Sequence, residues 1–357
     1  MSALNIKALL KNVVAYKASD LHLISRSEPQ IRIDGKLVPL DMETLNGTAI
    51  EEMCYTLITD KQKKKLEEEK ELDFAIMFPD IGRFRANYYY TINGDLAAAF
   101  RIIPISIPSL DELNTPIVFK ELVKREKGLI LVTGPTGSGK STTLAALLNE
   151  INVYEHRHII TIEDPVEFIH TNKKALFSHR NVGDDTKSFA RALKFSLRQD
   201  PDIILVGEMR DQETISTAIT AAETGHLVMG TLHTNSAVQT ISRIIDSFEG
   251  SEQVQIRNAL ASSLYAVISQ SLLPKIGGGR VAIQEIMIAN SAISNLIRED
   301  KLHQVYSQMQ LNQQKTGMIT QTQSMLKMLQ AKLITKEDAI RYSTQPQELL
   351  NNLGISG

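Results

Sequence analysis

The sequence predicts an α/β protein with an N-terminal α+β domain, a central, mostly parallel sheet and a C-terminal helical region. Three observations favour this class. Strand-like and helix-like segments mix in the first third, short apolar strands alternate with helices in the middle, and helical segments rich in Gln, Met and Leu fill the end. We expect domains at 1–111, 112–290 and 291–357, with a proline-rich linker at about 104–116.

The N-terminal part carries the alternation typical of strands. Residues 21–24 and 30–38 alternate in this way, the second run around an Asp-Gly turn. Residues 83–92 and 96–103 predict two further strands joined at an Asn-Gly pair. Residues 49–70 predict a helix that ends in a charged, solvated stretch. Together these elements indicate an α+β domain.

Four short apolar segments predict the central sheet. Each is followed by a helical segment, which favours parallel strands buried on both faces. The segments are 129–132, 158–162, 203–206 and 227–231.

Composition narrows the class of protein. The chain has 357 residues, 43% hydrophobic and 22% charged, an ordinary globular balance. No apolar run approaches the ~20 residues that span a bilayer, and the start lacks a signal-peptide pattern, so we expect a cytoplasmic protein. Cys54 is alone, which excludes an intrachain disulfide and a thiolate metal cluster. The net charge of −2 and the lack of tryptophan indicate no nucleic-acid partner.

A phosphate-binding loop follows the first central strand. The segment GPTGSGKS fits the motif G-x-x-x-x-G-K-[ST] and opens a predicted helix at 141–151. Its glycines let backbone N–H groups face phosphates, and the helix N-terminus adds positive charge. We expect Lys140 to reach the β- and γ-phosphates of ATP and Ser141 to bind Mg²⁺. A chance glycine-rich turn is the alternative, which the strand–loop–helix context disfavours. The predicted nucleotide-binding residues are Gly134, Pro135, Thr136, Gly137, Ser138, Gly139, Lys140, Ser141 and Thr142.

Acids and histidines flank the other three central strands. The second strand leads into Glu163, the third into Glu208 and the fourth into His233, and His226 precedes the fourth. Ligands of open α/β sheets bind at the carboxyl ends of strands. We therefore expect Glu208 to hold Mg²⁺ through water, Glu163 to orient the attacking water and His233 to sense the γ-phosphate, with His226 in support. Each residue alone would more often be a cap, a surface charge or a structural histidine, but their convergence favours the site.

Four blocks together resemble the secretion ATPase superfamily of type II secretion and type IV pilus motors. They are the phosphate loop, TIEDPVEF at 161–168, LRQDPDIILVGEMRD at 197–211 and the histidine-containing stretch at 224–234. ASDLHL at 18–23 is similar to the family's N-terminal signature. AISNLIRE at 292–299 resembles a segment of the retraction motors.

The resemblance is closest to the pilus retraction ATPases. The segment at 292–299 departs from their pattern at one place, where the family arginine is Ser294. Pilus extension and type II secretion assembly ATPases, the first alternative, typically carry a tetracysteine zinc site and a longer N-terminal region. One cysteine and a short N-terminus favour retraction of type IV pili, and thus twitching motility.

The resemblance implies a PAS-like N-terminal domain, a RecA-like P-loop NTPase core and a ring of six subunits. It implies ATP near the interface between domains, with Arg85 and Arg101, and more weakly Arg83, reaching the phosphates. The alternative is that these arginines lie on a strand face in water. The proline-rich linker would serve as a hinge. It further implies two partners at the cytoplasmic face of the membrane, an inner-membrane pilus platform protein and a second retraction ATPase.

Two rivals share the phosphate loop. One is a RecA-like motor that moves nucleic acid, which the near-neutral charge disfavours. The other is a regulator that binds nucleotide without hydrolysing it, which Glu163 and Glu208 disfavour.

Overall fold

The computed structural model describes residues 5–33, 35–103, 106–311 and 313–355. The chain divides into two compact units. The first comprises Met1–Ser106 and Pro165–Ile169, and the second comprises Ile107–Asp164 and His170–Gly357. Asp34, of the predicted Asp-Gly turn, and Pro104, of the proline cluster, lie outside the described residues.

The first unit contains an antiparallel sheet of six strands in the order β3-β2-β1-β6-β5-β4. Successive side chains of β5 point to opposite faces of the sheet, so Phe84 and Tyr88 both point into the core. There they are buried among aromatic neighbours such as Phe100. The strands are β1 (Asp20–Leu23), β2 (Gln30–Ile33), β3 (Lys36–Pro39), β4 (Glu71–Phe78), β5 (Gly82–Tyr90) and β6 (Leu96–Ile103). The helices are α1 (Ile6–Ala15), α2 (Gly47–Tyr55) and α3 (Asp60–Glu69).

In this unit one sequence prediction is wrong and one strand was missed. The single helix expected at 49–70 is two helices, because Thr59 forms a capping box with Gln62 and begins α3. Strand β4 was not predicted, although Leu72, Phe74 and Phe78 are buried along it.

The second unit is built on a seven-stranded sheet in the order β13-β12-β7-β11-β10-β8-β9. All neighbours are parallel except β12 and β13. The four predicted strands are present, and β7, β10 and β11 are buried throughout. The strands are β7 (Gly128–Thr133), β8 (His158–Glu163), β9 (Leu176–Asn181), β10 (Ile203–Val206), β11 (Leu227–Leu232), β12 (Leu264–Pro274) and β13 (Arg280–Ile288). β9, β12 and β13 were not predicted.

Helices cover both faces of this sheet. Alternate residues of β7 face opposite sides, so Leu129 and Leu131 join one apolar cluster while Ile130 and Val132 join the other. The helices are α4 (Val118–Leu122), α5 (Lys140–Tyr154), α6 (Phe189–Ser196), α7 (Gln212–Glu223), α8 (Ala237–Asp246) and α9 (Ser251–Ser263).

The C-terminal helices are part of the second unit. A small cluster that includes Leu273, Ile283, Met325 and Leu349 packs them against β12 and β13. Thr335 caps its helix, as the sequence indicates, by accepting the Asp338 N–H. The elements are α10 (Ser291–Arg298), a 3₁₀ turn (Leu302–Gln304), α11 (Val305–Met309), α12 (Gln313–Thr316), α13 (Gln321–Gln330), α14 (Lys336–Tyr342) and α15 (Pro346–Asn352). Among the described helices, none combines the length and the apolarity needed to cross a membrane.

Candidate nucleotide-binding and catalytic site

The glycine-rich loop turns sharply between β7 and α5. Gly134 has φ +139° and Gly139 has φ +88°, a region that side chains disfavour. A Cβ on Gly134 would lie 2.1 Å from the backbone oxygen of Gln270. Only glycine therefore lets the loop pass this close to β12. Lys140 follows as the first residue of α5.

Lys140 folds back over the loop. Its Nζ donates to the backbone oxygens of Gly134 at 2.8 Å and Pro135 at 3.1 Å. These acceptors are neutral carbonyls, and a charged phosphate oxygen is a stronger acceptor for an ammonium. The positively charged ammonium of Lys140 thus lies at the loop where the motif predicts phosphates.

Gln270 braces the loop from β12. The buried Gln270 side chain donates to the backbone oxygen of Ser138 at 2.7 Å. Its Oε1 accepts from Thr143 Oγ1 at 3.0 Å and from Gln284 Nε2 at 3.1 Å. The Ser138 hydroxyl itself is buried and has no hydrogen-bond partner among the residues that the structure describes. Sequence reasoning missed Gln270, because the motif lies far away in the chain and β12 was not recognised.

Glu208 and His233 meet at the ends of β10 and β11. His233 Nε2 lies 2.9 Å from Glu208 Oε1. A carboxylate offers only acceptors, so the imidazole N–H donates in this contact. The Arg210 guanidinium donates to the same oxygen, and this hydrogen bond raises the pKa of Arg210. Arg210 lies in the segment 197–211, and no role was predicted for it from the sequence.

The register of the sheet brings the phosphate loop to the same edge. Thr133 and Leu232 are paired across β7 and β11, so Gly134 and His233 both follow directly at that edge. Glu163 ends β8, which pairs with β10. A Cβ on Gly207 would lie 3.3 Å from Glu163 Cγ, so Gly207 lets the chain that leads into Glu208 pass against Glu163. The structure therefore gathers the predicted acids and His233 around the loop's edge of the sheet.

His226 lies at the opposite edge. It precedes β11, whereas His233 follows it, and the strand of six residues separates them by ~20 Å. Its Nδ1 lies 3.1 Å from the Ala221 oxygen, and its own carbonyl accepts from Gly128. Within this chain His226 joins the end of α7 to β11 and stands away from the phosphate loop, which corrects the prediction that it supports that site.

The three arginines belong to the first unit. Arg85 and Arg101 are directly paired across β5 and β6. Arg101 Nε donates to Asp20 at 2.7 Å, and Arg85 Nε donates to Asp73 at 3.1 Å. The contribution of these two residues to phosphate binding stays a prediction.

Arg83, the weaker candidate, is buried. Its Nη1 donates to the backbone oxygen of Glu167 at 2.6 Å. This contact holds the segment Pro165–Ile169 in the first unit. A structural contact therefore accounts for the position of Arg83 on β5.

A cavity of about 590 Å³ adjoins the loop within the second unit. Its walls include Gly139 and Thr142 at the start of α5, Gln270 and Leu272 on β12, and Arg280 on β13. This volume lies in the range of small-molecule sites. Its position beside the phosphate loop suits the nucleoside part of a nucleotide.

The donor set suits a hard cation held mainly by phosphates. Throughout the described ranges, no group of three or more His, Cys, Asp or Glu side chains is placed to hold a metal ion. Mg²⁺ at a phosphate loop needs only one or two protein oxygens, since water and phosphates supply the others. The hydroxyl of Ser141, in the first turn of α5, and the carboxylate of Glu208 provide oxygens of the kind that Mg²⁺ binds.

Comparisons with known proteins show a family and several relatives to which the chain is similar. Residues 2–341 match the family described as type II/IV secretion system protein. The chain is 47% identical to the type IV pilus retraction ATPase PilT of Pseudomonas aeruginosa, over 96% of this chain and 99% of that protein. It is 45% identical to a twitching motility protein of Neisseria gonorrhoeae, over 97% and 92%. A crystal structure of the pilus retraction motor PilT with bound ADP superposes with a TM-score of 0.90 at 49% identity, covering 98% and 99% of the two chains.

Proposed function

Because this chain belongs to the type II/IV secretion system protein family, we propose that it is an ATP-driven motor that retracts type IV pili. The main structural support for ATP hydrolysis is the contact of His233 with Glu208. This contact lies at the edge of the sheet where a complete phosphate loop begins. The similarity to a retraction motor over nearly the whole chain carries the biological role.

The phosphate loop supplies binding. Backbone N–H groups between Gly134 and Lys140, together with the N-terminus of α5, face the phosphates of ATP. Lys140 exchanges its carbonyl partners for phosphate oxygens. Mg²⁺, held through Ser141 and through water by Glu208, would neutralise phosphate charge when bound. Glu163 orients the water that attacks the γ-phosphate.

His233 reports whether a γ-phosphate is present. Its Nε2–H has Glu208 as its acceptor in the structure. A γ-phosphate oxygen at the same edge would compete with that carboxylate for the same proton. His233 then donates to the γ-phosphate when ATP is bound and to Glu208 when ADP is bound. The loop that follows β11 changes position with this exchange of partners.

Assembly and location complete the proposal. Six copies form a ring at the cytoplasmic face of the membrane, where a pilus platform protein and a second retraction ATPase are its partners. This rests on the family relationship and on the resemblance of 292–299 to the retraction motors. Mass measurement with and without ATP tests the ring, which should weigh six times the chain mass of 39.8 kDa.

The enzymatic test is phosphate release by the purified chain. Wild type should release phosphate from ATP, and Lys140→Ala should lose this activity by at least ~100-fold. Lys124→Ala is the matched control, because Lys124 pairs with Glu121 on the surface. A wild-type protein that releases no phosphate contradicts the proposal.

The biological test is deletion in the source organism. Loss of a retraction motor should leave cells with abundant, immobile pili. Loss of an extension motor should leave cells without pili, and this result would favour the alternative assembly role.

A further inference from the structure

A carboxylate lies buried on β13. Glu285 is 2% exposed, and ionisable side chains are almost never buried to this extent without partners. Its register neighbours are Ser269 on β12 and, one strand further, Thr133 at the end of β7. Burial raises the pKa of Glu285, and Glu348 adds to this effect while hydrogen bonds to two backbone groups oppose it.

Those two backbone groups are the first residues of two helices. Glu285 Oε1 accepts from the Ala237 N–H at 2.8 Å, at the start of α8. The Gln321 N–H at the start of α13 also lowers the pKa of Glu285, and Ser324 on the same helix accepts from the Gln284 N–H, next to Glu285, at 3.2 Å. The Glu285 side chain and the backbone beside it therefore join the start of α8 to the first turn of α13.

The α8 end of this connection leads to His233. Only Thr234, Asn235 and Ser236 separate His233 from Ala237. Thr234 Oγ1 lies 2.7 Å from Thr240 Oγ1, so the loop is also fastened to the first turns of α8. The position of that helix end consequently sets where His233 stands relative to Glu208.

The α13 end leads to Glu348. Thr322, next to Gln321, donates to Glu348 Oε2 at 3.1 Å. The same carboxylate accepts from Tyr306 on α11 and from Gln310 at 3.0 Å. Glu348 thus gathers three parts of the C-terminal region around the first turn of α13.

We propose that Glu285 is a positioning residue for ATP hydrolysis, which fixes the helix end that follows His233 and passes the packing of the C-terminal helices to it. This inference rests on the proposed ATPase function. It adds a route by which a load on the C-terminal helices changes turnover.

The first experiment separates turnover from binding and folding. Glu285→Ala should lower kcat at least ~10-fold while the KM for ATP stays within about threefold, because nucleotide binding depends on the phosphate loop rather than on the loop that follows β11. Glu285→Gln keeps one acceptor oxygen, so its kcat should lie between the values of wild type and Glu285→Ala.

Asn152→Ala is the matched control. Asn152 is also buried and also bonds two backbone groups, those of Thr171 and Lys173, but it lies near the far end of α5. This variant should lose thermal stability and keep its kcat within twofold. A Glu285→Ala protein with wild-type kcat, or a loss of kcat equal to that of the control, overturns the inference.

The second experiment tests the connection to the C-terminal helices. Glu348→Ala should lower kcat by about threefold although Glu348 is remote from the loop, and Glu285→Ala with Glu348→Ala should lose no more than Glu285→Ala alone. If the losses of kcat in the two single variants multiply in the double variant, the two residues act independently and the coupling is overturned.

Hydrogen exchange keeps the inference distinct from the proposed function. Amides of residues 232–240 should exchange faster in both single variants than in wild type, whether or not the protein hydrolyses ATP. If wild type releases no phosphate, the proposed motor function fails and exchange alone decides the coupling. Unchanged exchange in that segment overturns it.

Discussion

The imidazole of His233 lies 2.9 Å from the carboxylate of Glu208, across the ends of the neighbouring strands β11 and β10. Each residue follows a strand that is buried throughout, so the sheet fixes the backbone from which each side chain extends. The contact therefore places a hydrogen-bond donor and an acid together at the edge of the sheet where the phosphate loop begins.

Removal of the His233 imidazole should slow hydrolysis more than it weakens binding. His233→Ala should lower kcat at least ~10-fold with KM within about threefold, since the donor acts on the γ-phosphate and the loop does the binding. Phosphate release across ATP concentrations measures both. His303→Ala, an exposed histidine in the C-terminal region, should retain wild-type values, and an equal loss in that control would contradict the assignment.

A methyl group on Gly134 should distort the loop. Gly134→Ala forces Cβ to within 2.1 Å of the Gln270 oxygen, so β12 and the loop must separate. Gly183→Ala is the control, because Gly183 also has positive φ but no atom of the described residues within 4 Å of the new Cβ. The backbone strain alone should cost about 1–2 kcal/mol. Thermal unfolding and binding of a fluorescent ADP should show a larger loss for Gly134→Ala. Equal losses would count against steric closeness as the reason for this glycine.

Loss of the Gln270 brace should weaken nucleotide binding. Gln270→Ala leaves the Ser138 carbonyl and the Thr143 hydroxyl without this partner, at a cost of about 1–3 kcal/mol in unfolding free energy. The loop should lose its fixed shape, so KM for ATP should rise by about fivefold or more. Gln253→Ala removes a hydrogen bond to Phe248 beside α9 and should leave KM unchanged. Nucleotide affinity equal to wild type in Gln270→Ala would refute the brace.

Arg101 and Arg32 offer a matched pair around Asp20. Arg101 Nε lies 2.7 Å and Arg32 Nε 3.8 Å from this buried acid. If Arg101 acts on the phosphates, Arg101→Ala should reduce phosphate release at least ~10-fold, because an arginine stabilises the charge of the transition state. Arg32→Ala should alter stability only. Similar activity in both variants would assign Arg101 a structural role at Asp20.

Stability should fall in acid because of His170. Burial lowers the pKa of His170 to about 3, with the neighbouring His179 and Lys173 adding to the effect. The unfolded chain takes up a proton at its ordinary pKa near 6.5, so this stabilising contribution is complete above pH 6.5 and is lost as pH falls towards 3. The slope reaches about 1.4 kcal/mol per pH unit.

His170→Phe provides the test of that slope. The ring of His170 stacks on Phe177 at 4.3 Å between centroids, a contact that phenylalanine can keep. Denaturant unfolding between pH 4 and pH 7 should show a flatter profile for this variant. His156→Phe, at an exposed position, should keep the wild-type slope. Identical slopes in wild type and His170→Phe would exclude His170 as the source.

Local patterns determined the phosphate loop and the four central strands. Motif spacing and short apolar runs are properties of neighbouring residues, and β7, β8, β10 and β11 lie where these patterns predict. The convergence of Glu163, Glu208 and His233 followed from one general rule, that parallel strands end at a common edge. The same rule, applied to the strand direction, would also have placed His226 at the other edge.

Only the tertiary structure decided which distant side chains support the site. Gln270 and Glu285 are polar residues in apolar strands, and nothing near them in the sequence shows what they bond. Their partners, such as Ser138 and Ala237, become neighbours only when β12 pairs with β7 and β13 pairs with β12 in the folded sheet. A buried polar atom without a partner is costly, and for Gln270 and Glu285 the fold as a whole supplies the partners rather than any local stretch of chain.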